Sequence, residues 1–375
     1  MKVDQFKIYD VSDCNFILSG EYDWVMCYGA KNLLADHDIT KCLLAKFEGA
    51  QLFFCSTAGG IFKIGVCEQC IVITAIKFSK TIIKSHTINI KNFSKSIDAG
   101  RHLAKQLDGD KLKHIFIISD GSLVNGSELV NGLNEHYQSR VIITGGLAGD
   151  DTNFDYTLTG LNEHPSKGNI IGFGLYGDNI LVSNSSMGGW DSFGLSKTVT
   201  HSKSNELFEI DGRCALDLYK EYLGKYSDGL PGTALLFPLA VKLNEKEDSI
   251  VRTILSINNE SKSMIFAGDI PEGSKVKFMM ANFDRLIDAA GIAAKRSVEQ
   301  LINFKPELAI LISCVGRRIV LASRTDEEIE AVQSEIGMNV PITGFYSYGE
   351  ISPMSDSVGC QLHNQTMTIT CLQEI

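Results

Sequence analysis

The sequence predicts an α/β protein made of two pseudo-repeated units, each a mixed β-sheet layered with helices. Three observations carry this reading. One strand-and-turn pattern occurs in both halves: residues 141–151 read VIITGGLAGDD and residues 340–350 read VPITGFYSYGE. Each copy follows an apolar strand (HIFIISD, 114–120; LAILISC, 308–314) and a helix-like segment. Each copy is followed by a further strand-rich stretch, 169–185 in one half and 359–372 in the other. Two related units in one chain can share a cleft, the usual place for a small ligand.

Taken in order, YDWVMCYGA (22–30) has strand character, LLADHDITKCLLAKF (33–47) has helical apolar spacing, and QLFFCSTAGGIF (51–62) is a strand that breaks at Gly-Gly. CIVITAIKF (70–78) and TIIKSHTINI (81–90) are rich in β-branched residues and separated by a short polar turn, so a hairpin is expected. SKSIDAGRHLAKQLDGD (94–110) is an amphipathic helix, with Ser94 or Ser96 as cap and Gly109 as stop. Strand 114–119, helix 126–138 and strand 141–144 follow. SNELFEIDGRCALDLYKEYLG (204–224) reads as a hairpin or edge, then a helix closing at Gly224. KYSDGLPGT (225–233) gathers Gly, Pro and Ser and reads as a linker, dividing the chain into residues 1–225 and 226–375. Beyond it, strands are expected at 235–243, 250–258, 262–270 and 271–281. The clearest helix spans 281–302, with an apolar stripe that includes Leu286, Ala290, Ala294 and Leu301. Strand 308–314, helix 325–336 with its acidic first turn, strand 340–344 and a closing strand pair complete the second unit.

A length of 375 residues exceeds one ordinary core and suits two domains. Hydrophobic content of 44% with 21% charged residues is that of a globular protein. The net charge of −10 argues against a nucleic-acid partner, which needs a basic face. The N-terminus shows no signal-peptide pattern and no apolar run of about 18 residues occurs, so a cytoplasmic protein with no membrane span is expected. Cysteines in apolar strands (Cys55, Cys314, Cys360, Cys371) read as small buried hydrophobes. Cys67 and Cys70 make half a zinc site with no second half, and are taken as structural. GGLAGDD lacks the Lys-Ser/Thr of a P-loop, GFGLYG (172–177) has no helix after it, and no GxSxG elbow exists.

The segments ISCVGRR (312–318), ITGFYSYGEISP (342–353) and LHNQTMTIT (362–370) together resemble the C-terminal domain of FIST proteins. CSTAGG (55–60), GGLAGDD (145–151), MGGWDSFG (187–194) and ELFEIDGRCALDLYKEYLG (206–224) resemble the partner N-terminal FIST domain. On this resemblance residues 1–225 are FIST N-like and 226–375 FIST C-like. It implies a sensory protein that binds a small molecule, amino-acid-like in the leading reading. The implied partner is a histidine kinase of a two-component system, or a diguanylate cyclase or phosphodiesterase. The chain is also similar to stand-alone members, which include haem proteins that sense nitric oxide. One departure stands out: Gly60 occupies a place where the family carries an acidic residue.

The candidate ligand-binding residues are Arg317, Tyr348, Glu350, His363 and Asn364. Arg317 can grip a carboxylate through two parallel hydrogen bonds, or form a structural ion pair, with Glu350 as the expected partner. Glu350 can receive a ligand's amino group or hold Arg317. Tyr346 and Tyr348 alternate along a strand and so share a face; Tyr348 suits a pocket wall and Tyr346 the core. His363 and Asn364 lie on a strand, and His363 is the axial ligand if haem is bound, with His86 as runner-up. Asp150 and Asp151 point opposite ways on an extended chain and suit turn roles. Arg318 is expected in solvent. Cys314, at a strand end, is the nucleophile of an alternative reading as a small-metabolite hydrolase; no base stands near it in sequence, and a non-enzymatic protein is the preferred reading.

Overall fold

The computed structural model describes residues 1–17, 20–138, 140–242, 249–353 and 359–375. The chain passes three times through one succession of elements. The first pass is β1 (Lys2–Ile8), β2 (Trp24–Gly29), helices α1 (Lys31–Leu34) and α2 (His37–Lys46), β3 (Gln51–Ser56), β4 (Gly60–Phe62), β5 (Gly65–Cys67) and β6 (Ile71–Lys77). The second is β7 (Ile82–Asn89), α3 (Ser96–Leu107), β8 (Leu112–Ser119), α4 (Gly126–Tyr137), β9 (Ile142–Leu147), β10 (Thr159–Leu161) and β11 (Asn169–Tyr176). The third opens with β12 (Ile180–Met187) and is interrupted by an inserted module. That module holds β13 (Asp191–Lys203), β14 (Glu206–Ile210), β15 (Arg213–Cys214), α5 (Ala215–Leu223), β16 (Leu239–Lys242), β17 (Ile250–Arg252), β18 (Ile254–Asn258), β19 (Ser263–Phe266) and β20 (Lys275–Met280). The third pass then resumes with α6 (Phe283–Glu299), β21 (Leu308–Cys314), α7 (Val315–Leu321), α8 (Thr325–Ile336), β22 (Ile342–Ser347), β23 (Gly349–Pro353), β24 (Cys360–His363) and β25 (Met367–Glu374).

In every pass the two strands joined through helices lie parallel: β2 with β3, β8 with β9, β21 with β22. The closing strand (β6, β11 or β25) runs antiparallel to the first of that pair. The opening strand (β1, β7 or β12) lies outside it. The remaining edge is filled by another repeat. The second gives β10 to β3, the third gives β23 to β9, and the first gives β4 to β22. Three mixed sheets thus close into a ring of exchanged strands.

The inner faces of the sheets meet in one buried cluster that includes Trp24, Phe53, Phe116, Phe173, Ile312 and Phe345. Helices cover the outer faces: α2 on the first sheet, α3 and α4 on the second, α6 and α8 on the third. The longest, α6, follows from its sequence. Asn282 caps the N–H of Arg285, and Leu286, Ala289, Ala290, Ala293, Ala294 and Ser297 return every three or four residues to the buried side. The inserted module is an eight-stranded sheet wrapped on α5, with Leu216 and Tyr219 packed against Leu207, Leu239 and Phe278.

The matched patterns at 141–151 and 340–350 do occupy equivalent places, at the ends of β9 and β22. Their shared Thr-Gly has a steric cause. Gly145 and Gly344 have φ of +150° and +151°, and a Cβ there would lie 2.0 Å from the Ile117 carbonyl oxygen and 1.7 Å from that of Leu311. The structure adds a third copy, β2–β3, that carries no such glycine. It also corrects several expectations. Segments 70–78 and 81–90 do not form a hairpin: β6 finishes the first sheet and β7 starts the second. Residues 225–233 form tight helical turns between α5 and β16. The division at 225/226 therefore falls inside the inserted sheet, whose strands come from both sides of it. β1 and α7 were not anticipated. Cys67 and Cys70 are joined as a disulfide. Among the described residues, no helix is long and apolar enough to cross a membrane.

Candidate functional site

The loops at the carboxyl ends of the three parallel pairs converge, the position where open α/β sheets bind ligands. Gly149 N–H donates to the Ser56 carbonyl, Tyr348 N–H to that of Leu147, and Ala58 N–H to that of Tyr346. Each donor lies two residues beyond its own repeat's copy of the acceptor, so the three bonds form a cycle that follows the repeat.

Beside this ring a cavity of about 380 Å³ opens between the second and third repeats. The second repeat supplies the loop from Gly121 to Gly126, with Leu147, Phe154 and Asp155. The third supplies Cys314, Val315, Gly316 and Tyr348. The inserted module closes the cavity with Thr253, Leu255, Phe266 and Gly268. Phe154 stacks on Tyr348 with ring centroids 4.8 Å apart. The Tyr348 hydroxyl donates to Asp150 and accepts from Phe154 N–H at 3.2 Å. Burial and the Asp150 carboxylate push the phenol's pKa far up, so it stays a donor. Asp150 in turn accepts from Lys31 Nζ at 2.8 Å and from Asp155 N–H at 3.1 Å, the turn-stabilising role expected of it. Burial raises its pKa, but the Lys31 and Tyr348 bonds outweigh this and the net shift is downward.

Of the five expected ligand residues, only Tyr348 is in the cavity wall. Arg317 is fully buried and bound to Glu328, not Glu350, with Nη2–Oε2 at 2.7 Å and Nε–Oε2 at 3.0 Å. Its other hydrogen bonds go to the carbonyls of Gly188 and Leu286. Tyr346 completes this network, donating to Glu328 Oε1 at 2.6 Å, and is core as expected. Glu350 is buried and accepts from Ser347 Oγ at 2.6 Å and Thr366 Oγ1 at 2.9 Å. Loss of water raises its pKa to about 8 despite these bonds, so the group is a neutral acid below that pH. His363 is the cross-strand neighbour of Glu350. Asn364 is fully buried, and neither side-chain polar atom has a partner. Arg318 is not in solvent: it joins Asp151 at 2.8 Å, Glu68 and the Ala58 carbonyl. Cys314 reaches the cavity but is buried, and loss of water raises its thiol pKa well above the ordinary value, with the Glu350 charge adding to the rise.

The residues present do not fit a haem. His363 Nε2 lies 3.1 Å from the Ser352 carbonyl, to which it donates, and burial lowers the ring's pKa to about 4. That nitrogen is already used. His86 faces His102 of α3 on the outer side of the second sheet, with ring centroids 6.2 Å apart. Among the described residues no histidine lines the cavity.

Three polar residues close to the cavity were missed from the sequence, of which Thr253 lies in its wall and Ser127 and Arg252 lie behind Gly268. Thr253 is buried and its Oγ1 has no hydrogen-bond partner, as is true of Ser127 Oγ at the start of α4. Arg252, also buried, donates to the Leu362 carbonyl at 2.8 Å and to that of Asp269 at 3.2 Å. In the sequence all three sat inside an ordinary strand or helix pattern, with no motif to mark them.

A largely apolar cavity at the ends of parallel strands, closed by an inserted sheet and carrying a few polar groups, defines a small-ligand-binding module. Comparison with protein families matches residues 23–213 to the FIST N domain and residues 215–353 to the FIST C domain. The chain therefore belongs to the FIST family, whose domains are sensory and bind small ligands in signal transduction. No curated protein matches it.

Proposed function

We propose that this protein senses an amino-acid-like small molecule in the cavity between the second and third repeats and passes its occupancy to a partner protein. The observation that carries this is the position of the cavity. Two repeats and the inserted module each supply part of its wall, so a ligand there touches all three at once. Leu147, Val315 and Phe266 offer an apolar surface to a side chain, and Asp155 offers a carboxylate to an ammonium group. A ligand that holds the inserted module against the repeats favours one arrangement of the two by its differential affinity. The partner in this reading is a histidine kinase, or a diguanylate cyclase or phosphodiesterase, consistent with the family's signalling role.

The test is a thermal-shift and calorimetric screen of the common amino acids against wild type and Leu255→Trp. Leu255 lines the cavity and is 44% exposed, so the larger ring can enter the cavity without disturbing a core. Binding to wild type, lost in Leu255→Trp, supports the reading. Equal binding by both proteins places the ligand elsewhere and refutes it.

A further inference from the structure

We infer that Cys67 and Cys70 form a thiol–disulfide exchange site, opened by a protein that carries a reactive dithiol, and that their bond staples the third sheet to the first. The site is separate from the ligand cavity and does not depend on the sensory reading.

The place of the pair in the fold is the first observation. β5 is the outermost strand of the third sheet, joined to it through β4, and Cys67 ends β5 opposite Gly60. Cys70 stands just before β6, a strand of the first sheet, and its carbonyl accepts Ala30 N–H at 3.1 Å. The chain thus crosses from one sheet to the other within residues 67–70, and the disulfide spans the crossing. The loop it closes also holds the other repeats. Glu68 pairs with Arg318 of α7, and Arg318 pairs with Asp151 of the second repeat at 2.8 Å. Next to the loop, Val66 N–H donates to Asp326 of α8 at 3.0 Å. Residues 66–68 are therefore the first repeat's part of a clasp in which all three repeats meet.

Loop size and access favour exchange. The bridge joins residues only three apart, so it restrains the unfolded chain little and adds little stability by that route. In Cys-x-x-Cys motifs the reduced pair readily supplies a thiolate, the species that exchanges. Cys67 is half-buried and followed by the exposed Glu68 and Gln69, whereas Cys70 is fully buried, so attack falls on Cys67. A thiolate of the reductant bonds to Cys67 Sγ, the Cys67–Cys70 bond breaks, and Cys70 leaves as a thiolate that takes a proton. The reductant's second thiol then displaces Cys67 from the mixed disulfide. Cys67 and Cys70 end as thiols and the reductant as a disulfide, with two electrons transferred. Reduction opens the loop, so the hold of the first repeat on α7 and α8 loosens.

The experiment treats the folded full chain with thioredoxin, its reductase and NADPH, and separately with dithiothreitol. Thiols are then counted by alkylation in denaturant and mass spectrometry. The count should rise from the eight free cysteines to all ten, with Cys67 and Cys70 the two gained, while far-ultraviolet circular dichroism stays unchanged. Amide hydrogen exchange at Gly65–Cys67 should quicken by about tenfold, and the double variant Cys67→Ser/Cys70→Ser should exchange as fast without reductant. Glutathione disulfide should restore the count of eight and the slow exchange. A count that stays at eight with both reductants would overturn the inference, as would reduction that unfolds the protein. Reduction by dithiothreitol but not by thioredoxin would overturn it, since the site then admits no protein partner. Reduction that leaves exchange at Gly65–Cys67 unchanged would overturn it too, because the bond then holds nothing between the sheets. So would ten thiols in protein alkylated at lysis that glutathione disulfide cannot close. If the double variant does not fold, the reduced wild type decides alone.

Discussion

Replacing Arg317 by Met should leave Glu328 as an uncompensated charge in the interior. Both side chains are inaccessible to solvent. Glu328 would keep the hydroxyls of Ser313 at 3.1 Å and Tyr346 at 2.6 Å, two neutral donors in place of a cation. Arg317 also holds the Leu286 carbonyl at 2.7 Å and that of Gly188, so α7, α6 and the entry to the inserted module are tied at one point. Breaking one side of a buried ion pair costs about 3–5 kcal/mol, a large share of the roughly 5–15 kcal/mol by which domains are stable. The double variant Arg317→Met/Glu328→Gln removes both charges and keeps an acceptor for Tyr346, and should recover most of that loss. Urea unfolding followed by circular dichroism measures both. A single variant as stable as wild type, or a double variant weaker than the single, would refute the argument.

Gly344→Ala should cost more than about 4 kcal/mol or abolish soluble expression, because the positive φ and the Leu311 carbonyl oppose any side chain; thermal melting checks it. Glu350 should make the protein less stable as pH rises. Its folded pKa of about 8 lies above the ordinary 4.5, so between these values the folded chain holds a proton that the unfolded chain has released. Stability then falls across that window, by at most about 1.4 kcal/mol per pH unit, and Glu350→Gln should flatten this part of the profile in denaturation at stepped pH. Thr253→Val should stabilise the ligand-free protein by about 1 kcal/mol, since it removes a buried hydroxyl with no partner; a lowered melting temperature would count against this.

Residues whose role depends on local backbone were readable. The Thr-Gly pairs at 144–145 and 343–344 show in the sequence because a carbonyl excludes every side chain but glycine's. Strand alternation put Tyr346 and Tyr348 on one face; the structure separates them because the strand ends at Ser347 and Tyr348 stands beyond it. The first repeat was hidden because its copy of the strand, QLFFCS, has no glycine at the matching place. Arg317 was assigned the wrong partner for a related reason. Glu328 lies 11 residues on, across the unforeseen turn from α7 to α8, whereas Glu350 follows a recognisable motif. The exchange of strands between repeats left no trace, since hydrogen bonds between backbones carry no residue signature. Thr253 gains its place in the cavity wall only from the loop before α4, supplied by another repeat.

The exchanged strands also set the order in which the chain can complete itself during synthesis. β3 obtains its neighbour β10 soon after it is made, within the adjoining repeat. β9 must wait for β23, which follows the entire inserted module. β4, finished at Phe62, meets its partner β22 only when residues near Ile342 have left the ribosome. Strand edges are therefore exposed on the growing chain for most of its elongation, and the last closures join distant segments, which is slow and invites aggregation. Dependence on a chaperone that shields nascent β edges, and a late, single closing phase on refolding, are the consequences expected of this ring.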